Sequence, residues 1–254
     1  MSQIFSLRLA TETLAEDAQQ LGVTVAHLQD ISVKVSATLS EQPAAYLQLE
    51  YYVTLPTKSL AAQFNWSMWQ LEQVGFKDYL WEQTCLECFL AASLTNSSSE
   101  DSDEFLNTNR TAAYIEINAS PNGQYALYKF DSYRSPATLP PRPLMQADGQ
   151  TPAAIDWLDA SHKPKPLIDS TISAHSTYNY QRSFRVPLSS LMTLTSLHEK
   201  ADCSHAAIIK YIHPCVILSF GETTLYFAPE HASPPDFHNR QYWTPFDRKA
   251  ALAK

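Results

Sequence analysis

The chain has 254 residues, 44% of them hydrophobic, so it can bury one sizeable core, and all-β chains of this length commonly form a single domain. Asp and Glu outnumber Lys and Arg by 26 to 18, which gives a formal charge of −8. This balance lacks the basic surface that neutralises phosphates, so we expect no nucleic-acid partner. With five Gly and no glycine-rich phosphate motif, nucleotide-driven chemistry is not expected.

The first residues do not form a basic segment followed by an apolar run, and no stretch reaches the roughly 20 apolar residues that span a bilayer. We therefore expect a cytoplasmic protein with no membrane partner, whose four cysteines are reduced. Cys85 and Cys88 have the spacing of a CxxC motif. In a strand, however, an offset of three residues places the two sulfurs on opposite faces, which favours buried cysteines over a zinc or redox site.

The first predicted element is helical and covers residues 11–29, where Leu14, Ala18 and Leu21 recur at helical spacing. It either precedes or decorates the sheet that follows. Residues 31–39 and 47–55 alternate between apolar and polar side chains, which predicts two half-buried strands.

The next two predicted strands, residues 84–90 and 114–119, carry carboxylates, which strands normally exclude. Side chains alternate between the two faces of a strand, so Glu87, Glu116 and Asn118 form one patch if the two polar faces coincide. One interpretation is that the patch is the solvent face of an antiparallel sheet. The other is that it hydrogen-bonds a polyhydroxylated ligand, which stacks on neighbouring aromatic residues.

The second half of the chain alternates loops with short strands. The acidic segment 94–109 predicts a mobile loop, and the proline-rich segment 135–156 predicts an extended surface crossing. Five further short strands are predicted, at residues 168–173, 180–186, 206–212, 216–220 and 224–228. Their spacing is typical of a sandwich.

Arg134 follows Tyr133 at the end of a predicted strand. A planar guanidinium beside an aromatic ring can clamp a carboxylate or a pair of sugar hydroxyls. The alternative is a structural ion pair between Arg134 and either Glu82 or Glu116, and the sequence does not separate the two.

His231 and His238 flank a proline-rich loop that contains Asp236. Two imidazoles and a carboxylate could hold a metal or transfer a proton, although a loop in which these side chains cap backbone groups is the stronger expectation. Either His could also anchor haem, but the sequence contains no CxxCH attachment motif. We therefore predict no metal and no cofactor, and haem is kept as an alternative.

An enzyme is the rival functional class. Glu82, Glu87 and Glu116 could supply the two carboxylates of a glycoside hydrolase, which lie about 5 to 9.5 Å apart across a cleft. A GxSxG nucleophile motif is absent from the sequence. A catalytic role is left open, with a non-catalytic one favoured.

Four separate motifs resemble the motif series of small bacterial DOMON-like proteins, relatives of the DOMON and family 9 carbohydrate-binding-module β-sandwiches. The motifs are Leu80-Trp81-Glu82-x-Thr84-Cys85-x-Glu87, Tyr114-x-Glu116-x-Asn118-x-Ser120-Pro121-x-Gly123, Tyr128-x-Phe130-x-x-Tyr133-Arg134 and Pro235-Asp236-Phe237-His238. The resemblance spans about residues 45 to 245. Leu86, Cys88 and the run Tyr226-Phe227-Ala228 depart from the family pattern.

The resemblance implies an all-β fold: one jelly-roll-like antiparallel β-sandwich domain over residues 1–254, with a short N-terminal helix. It also implies non-catalytic binding of a small ligand, with a sugar as the first expectation and haem as an alternative. A structural or partner-binding role for the same sheet stays open. In the expected site, two aromatic residues stack on the ligand, acids and Arg134 hydrogen-bond it, and the histidines shape one rim. The candidate residues are Trp81, Glu82, Glu87, Glu116, Asn118, Tyr133, Arg134, His231, Asp236 and His238.

Overall fold

The computed structural model describes residues 1–42, 44–93, 113–158, 177–192 and 208–253. Most regular structure in these residues is β. The strands are β1 (Gln3–Leu9), β2 (Ser32–Ser40), β3 (Tyr46–Leu55), β4 (Gly75–Phe76), β5 (Cys85–Ser93), β6 (Tyr114–Ala119), β7 (Gln124–Phe130), β8 (Asp156–Trp157), β9 (Tyr178–Pro187), β10 (Ile208–Phe220), β11 (Thr223–Ala228) and β12 (Thr244–Pro245).

These strands form one mixed, curled sheet. Eleven of them follow the order β4-β7-β6-β5-β10-β11-β1-β2-β3-β9-β8, and β12 pairs with β10 beside this path. The β4–β7 pair is parallel, and the other pairs of named strands are antiparallel. The β-rich class expected from the sequence is therefore confirmed.

The helices are short and lie outside the sheet. They are α1 (Leu14–Leu21), α2 (Val25–Gln29), α3 (Lys58–Gln63), α4 (Ser189–Met192) and α5 (Arg248–Ala251), with 3-10 turns at Leu71–Gln73, Leu80–Glu82 and Arg240–Tyr242. The predicted helical segment 11–29 is divided between α1 and α2, because Gly22 ends α1 with a left-handed backbone. No helix in the described ranges combines the length and the apolar character needed to cross a bilayer.

Strand β1 joins the two halves of the curled sheet, which run from β4 to β11 and from β2 to β8 in the order above. Gln3 to Leu7 pair with β2, whereas Arg8 and Leu9 pair with β11. Across the interior, the hydroxyl of Tyr51 in β3 donates a 2.8 Å hydrogen bond to the backbone oxygen of Glu87 in β5. The main core therefore lies between strands that are far apart in the order of the sheet, and it takes buried side chains from both halves.

Several predicted strands match the observed ones. Residues 31–39 and 47–55 correspond to β2 and β3, and residues 180–186 and 224–228 fall within β9 and β11. The predicted loop 94–109 and the predicted strand 168–173 lie outside the described residues.

The two predicted strands 206–212 and 216–220 are a single strand, β10, so their separation was wrong. Pro214 lies in the interior of β10 and faces Cys88 of β5. On its other side, β10 pairs with β12 at Tyr211 and Ile212 and with β11 only from Val216 onward. Proline lacks the backbone N–H that pairs strands. Pro214 lies between the segment of β10 that pairs with β12 and the segment that pairs with β11, so the strand continues through it.

The predicted alternation of β5 and β6 is confirmed. The side chains of one face belong to the main core, and those of the other face belong to a second buried cluster. Cys88 lies in the first and Cys85 in the second, so the two thiols point to opposite faces of the sheet. The solvent-face interpretation of the polar patch was wrong, because Glu87, Glu116 and Asn118 are all at least 95% buried.

Candidate ligand-binding site

A cavity of about 400 Å³ lies over the second face of the sheet, where the polar patch was predicted. Its floor is formed by side chains of five adjacent strands, and its walls by the 3-10 turn at Leu80–Glu82 and by two loops, 134–141 and 235–238. The floor residues are Glu87, Phe89, Glu116, Phe130, Ile217 and Tyr226. The volume lies within the roughly 300–1,000 Å³ that is typical of small-molecule pockets.

Two carboxyl groups lie close together on this floor. Glu87 faces Asn118 across the β5–β6 pair, and Glu116 faces Phe89, so the two acids are diagonal neighbours on one face. Burial raises the pKa of Glu116 to about 7 and that of Glu87 well above its ordinary value. The charge of Glu116 raises the pKa of Glu87 further. At neutral pH the pair therefore retains protons that exposed carboxyls would lose.

The two acids differ in their hydrogen bonds. The side-chain amide of Asn118 donates to Glu116 Oε1 at 2.7 Å, which favours the ionised form of Glu116. Glu87 is hydrogen-bonded to the Cys85 thiol, but its Oε1 has no partner in the described part of the chain. Glu87 lines the cavity, and a buried carboxyl oxygen without a hydrogen-bond partner is costly to the folded protein.

His238 connects Glu116 to the rim through a short hydrogen-bond chain. The backbone N–H of Arg134 donates to the Tyr114 hydroxyl at 3.1 Å, and this hydroxyl lies 2.7 Å from His238 Nδ1. The direction of this hydrogen bond depends on the tautomer: when the hydroxyl donates to Nδ1, the imidazole proton lies on Nε2. Nε2 lies 3.6 Å from Glu116 Oε2. Burial lowers the pKa of His238 to about 3, so the ring is neutral at physiological pH.

Asp236 ties the two rim loops together. Its Oδ1 accepts from Arg134 Nη2 at 2.7 Å and from the backbone N–H of His238 at 3.1 Å, and its Oδ2 accepts from the Tyr133 hydroxyl at 2.5 Å. The expected ion pair of Arg134 with Glu82 or Glu116 was therefore wrong, since Asp236 is the partner. Sequence analysis could not predict this contact, because it joins residues 102 positions apart.

Replacing Arg134 by Ala should cost little stability. The side chains of the Arg134–Asp236 pair are 52% and 19% exposed, and ion pairs in contact with water contribute about 1 kcal/mol or less. Urea unfolding of Arg134→Ala should show a change of that size, with Tyr133→Phe as a control that removes only the second bond to Asp236. A loss of about 3 kcal/mol or more would mean that a buried charge had been stranded, which this geometry does not allow.

The structure brings six of the ten predicted site residues to the cavity and leaves four outside its lining. The six are Trp81, Glu87, Glu116, Arg134, Asp236 and His238. Glu82 is exposed on the neighbouring turn, and Asn118 is fully buried behind Glu116. Tyr133 is largely exposed and contacts Asp236, and His231 Nε2 donates to the Arg8 carbonyl at 2.8 Å.

The metal alternative for the C-terminal loop is not supported by geometry. His231 and His238 make separate contacts, to Arg8 in the first case and to Tyr114 in the second. Within the described ranges, no group of three or more His, Cys, Asp or Glu side chains is placed to hold a metal ion. His231 and His238 thus make separate contacts in the described part of the chain.

Sequence analysis missed several lining residues. Phe130 stacks on Tyr114 with ring centroids 4.9 Å apart, and Tyr226 faces Ile217 across the β10–β11 pair. Other missed lining residues are Pro136, Ala137, Thr138, Leu139 and Pro141. Period-two alternation marks Phe130 and Tyr226 as members of one strand face, but only the order of the strands shows that these faces border β5 and β6.

The chain finds no match among protein-family models, curated proteins or solved structures. The DOMON-like resemblance of its four motifs is thus not identified by these comparisons. What the cavity binds must be argued from its own residues.

Proposed function

We propose that this chain is a non-catalytic protein that binds a small carbohydrate in the cavity. One observation carries the proposal: aromatic rings and hydrogen-bonding carboxyls line the same cavity of about 400 Å³. In this proposal the chain is a DOMON-like protein, and its curled sheet is a jelly-roll-like sandwich. The bond from Tyr51 in β3 to Glu87 in β5 supports that arrangement, since it joins two non-adjacent strands across the core.

A sugar ring suits these walls because it has apolar C–H faces and a hydroxyl edge. The half-buried Trp81 lies edge-on to Tyr128, with ring centroids 5.9 Å apart, and it lines the cavity together with Tyr226 and Phe237. Such rings offer faces on which a pyranose can stack. Glu87 and Glu116 at the floor can accept hydrogen bonds from sugar hydroxyls, and in their protonated forms they can also donate.

The positions of the two acids favour binding over hydrolysis. A glycosidase holds its two carboxyls on opposite sides of the scissile bond, one as acid and the other as base or nucleophile. Glu87 and Glu116 lie instead side by side on the floor of the cavity, on neighbouring strands of one sheet face. A substrate would meet both from the same direction, which suits hydrogen bonding to one edge of a ligand.

Haem binding is the less favoured alternative. Both ring nitrogens of His238 are directed at protein atoms, Nδ1 at Tyr114 and Nε2 at Glu116. His231 uses Nε2 to donate to a backbone carbonyl. Iron ligation by His238 would have to break one of its contacts, and the unpartnered nitrogen of His231, Nδ1, is buried in the described part of the chain.

Calorimetric titration with a panel of monosaccharides and disaccharides tests the proposal. Trp81→Ala should weaken saccharide binding about tenfold or more, because removal of a central aromatic contact typically costs over 1 kcal/mol. The matched control is Trp69→Ala, since Trp69 is also half-buried but contacts Trp157 away from the cavity. Absence of saccharide binding, or equal losses in the two variants, would overturn the proposal.

A further inference from the structure

In the described part of the chain, neither acid on the cavity floor forms an ion pair with Lys or Arg, and the imidazole 3.6 Å from Glu116 Oε2, that of His238, is neutral. Arg134 also lines the cavity, but its guanidinium is held by Asp236. Buried carboxyls are normally paired or hydrogen-bonded, and on this floor Glu87 Oε1 has no hydrogen-bond partner among the described residues.

A second observation points from this pair to a ligand. Glu87 is 2% exposed, lines the cavity, and has an Oε1 atom without a hydrogen-bond partner in the described residues. This oxygen can accept a hydrogen bond from a group that enters the cavity. The rings of Phe89, Phe130 and Phe237 also line the space, and aromatic faces attract cations.

We propose that the cavity selects a ligand carrying a protonated amine, which lies between Glu87 and Glu116, so that the preferred carbohydrate is an amino sugar. The choice of a sugar rests on the proposed function above, whereas the choice of an ammonium group rests on the acid pair. An ammonium group brings one positive charge and three N–H donors, which match the acceptor oxygens on the floor. A neutral hydroxyl brings one donor and leaves the charge of the pair unbalanced.

The same arrangement couples binding to proton release. An ammonium ion between the two acids stabilises their ionised forms, so protons that the empty pair holds pass to the buffer. The buried thiols, phenols and imidazoles around the pair do not exchange protons near neutral pH. Burial raises the pKa values of the thiols and phenols and lowers that of the imidazoles, while Arg134 and Asp236 stay ionised as a pair. These thiols, phenols and imidazoles are Tyr51, Cys85, Cys88, Tyr114, Tyr128, His213, Cys215, Tyr226 and His238.

The test compares D-glucosamine with D-glucose, which differ at one substituent, by calorimetry at about pH 6.5. Glucosamine should bind about tenfold or more tightly than glucose. Its measured binding enthalpy should also differ between phosphate and MOPS buffers, because protons released on binding are taken up by the buffer. Propylamine serves as a third probe that carries the ammonium group without a sugar.

Two isosteric variants locate the effect. Glu87→Gln and Glu116→Gln should each reduce the glucosamine affinity toward that of glucose and lower the buffer dependence, with a smaller loss of affinity for glucose than for glucosamine. Glu82→Gln is the control, since Glu82 is an exposed glutamate outside the cavity lining. Circular dichroism of both variants confirms that the fold is intact.

The outcomes separate this inference from the proposed function. Equal binding of glucose and glucosamine would overturn the ammonium site and leave carbohydrate binding standing. Binding of propylamine without any saccharide would support the ammonium site and overturn the carbohydrate proposal. If none of the three probes binds, both proposals fail.

Discussion

Replacing Glu116 by Gln should stabilise the protein at pH 8 by about 3 kcal/mol and leave its stability nearly unchanged at pH 4. In the folded chain the pKa of Glu116 is about 7, against 4.5 for an unperturbed glutamate, because the carboxyl is buried. Between these values the folded state keeps a proton that the unfolded state releases, so the free energy of unfolding falls as pH rises. A difference of one pKa unit corresponds to about 1.4 kcal/mol, which sets the size of the effect.

A glutamine at this position keeps the oxygen that accepts from Asn118 and removes the charge. It also removes the repulsion that raises the pKa of Glu87, so part of the Glu87 contribution disappears as well. Urea unfolding at several pH values from 4 to 8 measures the effect, with Glu82→Gln as the exposed control. Parallel profiles for wild type and Glu116→Gln would show that Glu116 titrates as an exposed carboxyl does, in conflict with its burial.

The strand content was predictable because alternation is a local property. Apolar residues at every second position identify β2 and β3, and the same rule places Glu87 on the polar face of β5 and Glu116 on the polar face of β6. These assignments need only the residues of each strand, and the structure agrees with them.

The two loops that cover the polar face, 134–141 and 235–238, could not be predicted, because their positions depend on contacts between distant segments. Asp236 joins the loop after β7 to the loop after β11 through its bonds with Arg134 and Tyr133. These loops turn a sheet face that alternation alone would leave in water into the floor of a cavity. The motif residues Trp81, Arg134 and His238 were singled out from the sequence, but their meeting around Glu116 follows from the order of the strands.

Replacing His213 by Phe should stabilise the protein at pH 4 by about 3 kcal/mol and change its stability little at pH 8. His213 in β10 is 1% exposed, its ring lies parallel to Trp243 at 6.2 Å, and its Nδ1 has no partner among the described residues. Burial lowers its pKa from 6.5 to about 3. Below pH 6.5 the His213 imidazole is protonated in the unfolded chain but not in the folded chain, so the free energy of unfolding falls as the pH falls toward 3.

His213 and Glu116 change the free energy of unfolding with pH in opposite directions, and their pH ranges overlap between about pH 4.5 and 6.5. The pH profile of the wild type alone therefore cannot separate the two contributions. Unfolding of wild type, His213→Phe and Glu116→Gln over the same pH series resolves the two contributions. His238 contributes in the same direction as His213, so His213→Phe should retain part of the acid-side loss. If the difference between wild type and His213→Phe does not grow from pH 7 to pH 4, the imidazole is open to water. The cover over this face of the sheet would then be too loose to keep the histidines neutral, and the acid pair would no longer need a cationic ligand to complete it.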